Sequence, residues 1–361
     1  MIAKKYDASK DKQFQILDQN GKVVNEKFEP NLPKETLLKM YKTAVLGRSA
    51  DIKALQYQRQ GRMLTYAPNM GQEAAQIGVA AAMEPQDWNS PMYRELNLQL
   101  YRGVTLESVF LYWYGNERGS IRPDGVRVLP TNIIIGSQSN LAAGLAMASK
   151  IRKQPEVTVF TIGDGGTAHG EFYEGLNFAA TYNAPVVAVI QNNQYAISTP
   201  VRKASKSESL AQKGAAFGIP FVQVDGNDML AMYVVAKEAM DRARKGEGPT
   251  LIEAFTYRMG PHTTSDDPSI YRTKEEENEW AKKDPIARFK TYLINKGYWS
   301  EEEEAKLVED VNNEIGETFK KVESYGAKVE LMEIFEHTYA EMTPQLKEQY
   351  EDMKKYLEGA K

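Results

Sequence analysis

The chain has no cysteine, which excludes disulfides, thiolate nucleophiles and zinc–thiolate sites and fits a reducing compartment. Histidine is almost as scarce: the three present, His169, His262 and His337, lie too far apart for a local metal motif such as H-E-x-x-H. No apolar run reaches the length of about 18 residues that a membrane-spanning helix requires, so no membrane association is expected. The opening segment MIAKKYDASKDKQ lacks the apolar centre of a signal peptide, and together with the missing cysteines this gives the expectation of a cytoplasmic protein. Neither sign of charge dominates. With 45 basic and 49 acidic residues the net charge is −4, and nothing in that balance points to nucleic acid as a partner. Repeats and low-complexity tracts are also missing. What is present is a 361-residue chain, 42% apolar, long enough for one large α/β domain with appendages.

The most informative stretch is 157–197. Val157–Ile162 (VTVFTI) reads as a buried strand, Gly163-Asp164-Gly165-Gly166 as a turn, and His169–Tyr182 as a helix whose Phe172, Leu176, Ala179 and Ala180 recur at helical spacing. A second buried strand, Pro185–Ile190, runs into Gln191-Asn192-Asn193-Gln194-Tyr195. In such a βαβ unit ligands sit beyond the carboxyl ends of the strands. Both loops at that edge hold oxygen ligands: the Asp164 carboxylate, and the Asn193 amide with nearby carbonyls. GDGG alone fits a structural turn. Gly163–Ala168 also fits G-x-G-x-x-A, but a dinucleotide site wants an acid at the end of the next strand, and an amide cluster stands there. A P-loop is excluded because Glu171 occupies the lysine position. The third reading is a Mg²⁺–diphosphate site, since a carboxylate, an amide oxygen and a carbonyl leave room for phosphate oxygens and water.

Along the rest of the chain, residues 1–13 read as a loose polar arm. Phe14–Leu17 and Lys22–Val24 flank an Asn20-Gly21 hairpin turn, and Pro33 precedes a long helix to about Arg59. An aromatic loop, Gly61–Gly71, leads to a small-residue helix over Gln72–Met83, then helices around Glu95–Arg102 and Leu106–Tyr114. Asn116–Pro130 is a loop with Arg118, Arg122 and Arg127, either mobile at a site or merely solvated. Thr131–Gly136 (TNIIIG) is strand-like and precedes a helix over Asn140–Ile151. Ser207–Phe217 and Met229–Arg244 read as helices, and Phe221–Val224 and Thr250–Tyr257 as strands. The alternation predicts an α/β fold with a doubly wound, mainly parallel sheet. Arg258–Arg272 is a long polar loop of the kind that forms lids. Residues 273–361 are charged and helical, with Leu331, Ile334, Phe335 and Tyr339 as candidates for packing on the core or on a partner. The expected division is an N-terminal arm, hairpin and helix (1–60), a ligand-binding core (61–272) and a helical C-terminal region (273–361).

Taken in order, RQGR, GQEAAQ, MYRE, IIIGSQ, GDGGTAHGEFYEGLNFAA, QNNQYAISTP, VDGND, GPHTTSDDPSIYR and EWAKKDPIARF make the chain resemble the α subunits of the thiamine diphosphate-dependent 2-oxo acid dehydrogenases over nearly all of 14–360. The resemblance implies the thiamine diphosphate-binding fold, with Mg²⁺ held by Asp164, Asn193 and the Tyr195 carbonyl, and the diphosphate near the Gly165 and Gly166 amides. It implies that Tyr93 and Arg94 touch the diphosphate, that Arg258 and His262 flank it from the lid with His262 moving protons, and that the main chain at Ile133 and Ile135 meets the aminopyrimidine. Tyr66 would line the pocket of the small-molecule 2-oxo acid. Glu171 and Glu174, on one helix face, match acids that line a water-filled channel in relatives. Relatives commonly carry histidine where this chain has NERGS (116–120), so either Arg118 covers the phosphate or His262 carries more of the proton traffic. No carboxylate suited to the aminopyrimidine stands beside Thr131–Gly136; in the family a β subunit supplies it, in an α2β2 assembly. The expected reaction is oxidative decarboxylation of pyruvate with reductive acetylation of a lipoyl arm on an acyltransferase. Branched-chain 2-oxo acids are the alternative substrates, and a non-catalytic homologue that keeps the fold is the rival of another class. Thr263 and Ser265 lie in a loop that some relatives phosphorylate, but nothing in the sequence indicates a kinase here.

Overall fold

Strands buried along nearly their whole length need cover on both faces, and helices supply it. The computed structural model describes residues 1–6, 13–326 and 330–359; residues 7–12 of the expected polar arm lie outside them. The strands are β1 (Trp88–Ser90), β2 (Thr158–Gly163), β3 (Val186–Asn192), β4 (Tyr195–Ala196), β5 (Thr199–Pro200), β6 (Phe221–Asp225) and β7 (Thr250–Phe255). The main sheet has the order β1-β2-β3-β7-β6 and is parallel throughout, while β4 and β5 form a small antiparallel pair. β3 is buried along its whole length at the centre, as a strand with helices on both sides must be.

The helices are α1 (Lys34–Arg59), α2 (Glu73–Ala82), α3 (Leu96–Tyr101), α4 (Leu106–Trp113), α5 (Ser137–Ile151), α6 (Gly170–Thr181), α7 (Val201–Ala204), α8 (Met229–Arg244), α9 (Lys274–Ala281), α10 (Pro285–Asn295), α11 (Glu301–Gly326) and α12 (Pro344–Gly359). The alternation of side chains along each strand sorts the core into two layers. Val159, Val187, Val189, Val224 and Ile252 belong to the layer that packs against α8, which α1 and α2 extend. Phe160, Ile162, Ala188, Ile190 and Leu251 face α5 and α6. The small residues of α2 permit close approach: a Cβ on Gly78 would lie 2.5 Å from the Met232 Cβ of α8.

Three expectations are corrected. Thr131–Gly136 is not a strand; Asn132 makes one bridge to Met92, and Ile133 and Ile134 are 58% and 71% exposed. The N-terminal hairpin shrinks to one bridge, Leu17 to Val23, because Phe14 pairs in parallel with Val224 at the sheet edge. Ser207–Phe217 becomes a 3-10 helix over Ala211–Phe217. In the C-terminal region Phe335 is buried, whereas Ile334, Tyr339 and every residue of α12 from Glu351 onward are exposed.

Asp228 ties the N-terminal segment to the core. Its fully buried carboxylate accepts from Leu230 N (3.1 Å) and Ala231 N (3.0 Å) as the α8 cap, and from Ile16 N (2.7 Å) and Leu17 N (2.6 Å). Asp228→Ala removes the cap and strands buried donors, so urea unfolding should show a loss of about 3 kcal/mol. A loss below about 1 kcal/mol would show that water replaces the carboxylate.

Candidate active site

The in-register pairing of β2, β3 and β7 brings Gly163, Gln191 and Ala254 side by side, so the loops that follow converge at one carboxyl edge. β2 runs into Asp164 and a 3-10 turn, Gly165–Ala168. Glycine is needed in that turn: a Cβ on Gly165 would lie 2.5 Å from the Ala196 Cβ, and one on Gly166 would lie 2.4 Å from Ile162 Cγ1. After β3 the chain bends through Gln194 (φ 76°) and Ile197 (φ 57°), left-handed conformations unfavourable for side-chain-bearing residues. The Asn192 side chain holds this bend, accepting from Gln194 N (3.2 Å) while its amide donates to the buried Glu253 (2.7 Å).

These loops and the lid enclose a cleft of about 270 Å³. Asp164 is only 4% exposed, and its Oδ2 is buried with no hydrogen-bond partner. Burial pushes its carboxyl up to about 6, against the pull of Arg258 and Arg94. Asn193 donates from Nδ2 to Gln72 Oε1 (3.1 Å) and accepts at Oδ1 from Tyr195 N (3.3 Å). Both arginines are braced. Arg94 donates to Pro68 O and to His262 O (2.9 Å). Arg258, fully buried, donates to Tyr195 O (3.1 Å), Ile197 O (2.7 Å) and the Tyr271 hydroxyl (2.8 Å).

His262 takes its state from these neighbours. Burial, then Arg94 and Arg258, hold its imidazole down at about 4. Arg94 Nη2 lies 3.2 Å from Nδ1; a guanidinium can only donate, so Nδ1 accepts and the proton of the neutral ring sits on Nε2. Asp266 fixes the lid beneath it, accepting from His262 N (2.6 Å) and from the Tyr271 hydroxyl (2.5 Å).

Of the residues singled out in the sequence, Tyr93, Arg94, Ile135, Asp164, Gly165, Gly166, Asn193, Tyr195, Arg258 and His262 all line this cleft. Ile133 and Tyr66 do not. Ile133 points outward, and Tyr66 is fully buried with its hydroxyl on Asp51 (2.5 Å). Arg118 pairs with Glu333 and stands outside the lining of this cleft. Glu171 proves to stand against the 131–136 segment: its Oε2 would be 2.5 Å from a Cβ on Gly136, although it does not line the cleft. Sequence reasoning missed His169, which lines the cleft, and Gln72 and Glu95 behind it. Burial pushes Glu95 up to about 8, and Gln191 donates to it. The GQEAAQ and MYRE motifs contain these residues, but nothing local marks their partners.

The carboxyl ends of β2, β3 and β7 thus carry Asp164, Asn193 and Arg258 into one cleft, with Arg94 reaching it from the segment after the edge strand β1. Residues 41–330 match the family described as "Dehydrogenase E1 component", and the chain belongs to that family. It is 87% identical over 345 residues to a protein from Acholeplasma laidlawii named pyruvate dehydrogenase E1 component subunit alpha, covering 95% of this chain and 100% of that one. The proteins of the same name from Bacillus subtilis (strain 168) and Staphylococcus aureus (strain Mu50) are 47% and 46% identical, covering 94% and 95% of this chain and 91% and 93% of theirs. Among the described residues no helix is long and apolar enough to cross a membrane.

The imidazole of His262 should remain neutral, with the Nε2–H tautomer, well below pH 6, as read from its ¹⁵N shifts in the folded chain. Because its folded value of about 4 lies below the unfolded value of about 6.5, the unfolded chain takes the proton first, and this group lowers stability as pH falls through that window. Titration near 6.5 in the folded protein would refute the pairing with Arg94.

Proposed function

We propose that this chain is the α subunit of a pyruvate dehydrogenase that works with a β subunit, thiamine diphosphate and Mg²⁺ to decarboxylate pyruvate oxidatively and acetylate lipoamide. The observation that carries the proposal is the unpartnered, buried Oδ2 of Asp164 in a cleft shared with Asn193, Arg94 and Arg258. A buried carboxylate oxygen without a donor calls for a cation. A hard cation takes a carboxylate, an amide oxygen and a carbonyl and keeps phosphate oxygens as further ligands. Asp164, Asn193 and Tyr195 supply the protein share. Tyr93, Arg94, Arg258 and the Gly165 and Gly166 amides would bind the diphosphate. The names of the relatives favour pyruvate over branched-chain 2-oxo acids.

The coenzyme, when bound, supplies the electron sink that lets a 2-oxo acid lose carbon dioxide. The chain's own residues bind, orient and move protons. His262, neutral and carrying its proton on Nε2, can donate to substrate at neutral pH without adding positive charge beside two arginines. Arg94 positions that ring and helps hold the diphosphate. The main chain at Ile133 and Ile135, of which Ile135 lines the cleft, would meet the aminopyrimidine.

A β subunit is supported by what the surface leaves uncovered. α5 exposes Leu141 and Ile151, α6 exposes Phe178, Tyr182 follows at its end, and Ile133 and Ile134 lie beside the cleft. Such exposed apolar residues mark a protein interface when they gather in one region. The acyl group would leave on a lipoyl arm of a partner acyltransferase, in the cytoplasm.

The test uses this chain assembled with its β subunit. Asp164→Ala should abolish Mg²⁺-dependent coenzyme binding, measured by calorimetry, and pyruvate-dependent turnover with it. In the unmutated assembly, cation affinity should fall up to about tenfold per pH unit below about 6, because protons compete for the Asp164 carboxylate. Undiminished turnover in Asp164→Ala would sink the assignment.

A further inference from the structure

The Asn193 amide could present either its oxygen or its NH2 to the cleft, and only the oxygen can bind a cation. Two contacts decide between them. The Tyr195 N–H reaches Oδ1 (3.3 Å), and Nδ2 donates to Gln72 Oε1 (3.1 Å). Gln72 is fully buried and 121 positions away in the chain. Its backbone is clamped in turn: Gln72 N donates to Asn69 O (3.0 Å), and Gly71 O accepts from Thr256 Oγ1 (2.9 Å) just past β7. Gly71 sits at φ 93°, and a Cβ there would lie 2.2 Å from Tyr257 O, so this approach admits only glycine.

Gln72 Nε2 is buried without a partner. Burying an unpaired donor is unfavourable, and a methionine of similar length would fill the same space without that penalty. The amide is therefore explained by its acceptor, which is used, and not by its volume. We propose that Gln72 is a positioning residue: it holds the Asn193 amide with its oxygen toward the cation site and thereby sets divalent-cation affinity. This rests on the reading of Asp164 and Asn193 as cation ligands.

The experiment measures Mn²⁺ binding by electron paramagnetic resonance in the αβ assembly with thiamine diphosphate, alongside thermal unfolding without metal. Gln72→Met should weaken Mn²⁺ binding about 10–100-fold, the usual effect of losing a group that orients a metal ligand. Gln72→Glu keeps an acceptor and should stay within about threefold of the parent, on the same argument. A packing role alone would lower the unfolding temperature and leave the Mn²⁺ affinity of the folded assembly unchanged. Parent-like binding in Gln72→Met, with binding lost in Asp164→Ala, overturns the role of Gln72 and leaves the cation site standing. Parent-like binding in Asp164→Ala overturns the cation site and this inference together. Should Gln72→Met fail to fold, Gln72→Glu decides: retained binding supports the acceptor role, and loss of binding refutes it.

Discussion

One carboxylate kept out of water organises this protein. Asp164 follows the central part of the sheet directly, so its position is as rigid as β2, and its burial leaves one oxygen without a donor. Arg94 and Arg258 lie close enough to pull on its proton affinity, yet neither makes a salt bridge to it. Some of their donors are engaged by Pro68 O, His262, Tyr195 O, Ile197 O and Tyr271, while Arg258 Nε is buried without a partner. Carbonyl oxygens thus hold two cationic groups near an anion without letting the three collapse into a closed ion pair. A divalent cation entering alone would meet two guanidinium charges, and an anion entering alone would meet the carboxylate. On the proposed reading, a cation and a diphosphate entering together would satisfy both, and their binding would be mutually dependent.

Holding charges apart in this way requires a stiff surround, and the loop after β3 shows where the strain goes. Gln194 and Ile197 adopt left-handed backbone, at a cost on the order of 1 kcal/mol each. The loop is held by contacts from several directions: Asn192 bridges it to Glu253 on β7, and the Tyr195 hydroxyl donates to Glu276 of α9 (2.9 Å). Arg258 in turn donates to the same loop's carbonyls, Tyr195 O and Ile197 O. The bend is therefore fixed by strand, lid and α9 at once, and the amide and carbonyl oxygens it presents are pre-aligned before any ligand arrives.

Much of this was legible in the sequence because it is local. Continuous apolar runs ending in GDGG and QNN specify a buried parallel strand pair and put both loops at one edge, and β2 and β3 appear within a residue or two of the expected bounds. Signals that depend on distant partners were not legible. The resemblance singles out His262, but its neutral, Nε2-protonated state is not legible until Arg94, 168 positions away, is seen on its Nδ1. Gln72 carries no mark of its partnership with Asn193. Tyr66 lies in a loop rich in aromatics, and only the tertiary fold turns its hydroxyl to the buried Asp51 and away from the cleft.

The misread strand at Thr131–Gly136 is informative for a physical reason. Three consecutive isoleucines have the β-branched character of a buried strand, and here their burial is missing: Ile135 reaches the cleft while Ile133 and Ile134 face out. A sequence that spends isoleucine on solvent gains nothing within this chain, and the same is true of Phe178 on α6. These residues lie on or beside elements that frame the cleft, since α6 starts from the Asp164 turn and α5 packs against it. Covering them would bury apolar surface and close one wall of the site in the same event. A second subunit seated there would therefore be coupled to the chemistry by geometry, because the groups it shields from water adjoin the segment that borders the coenzyme cleft.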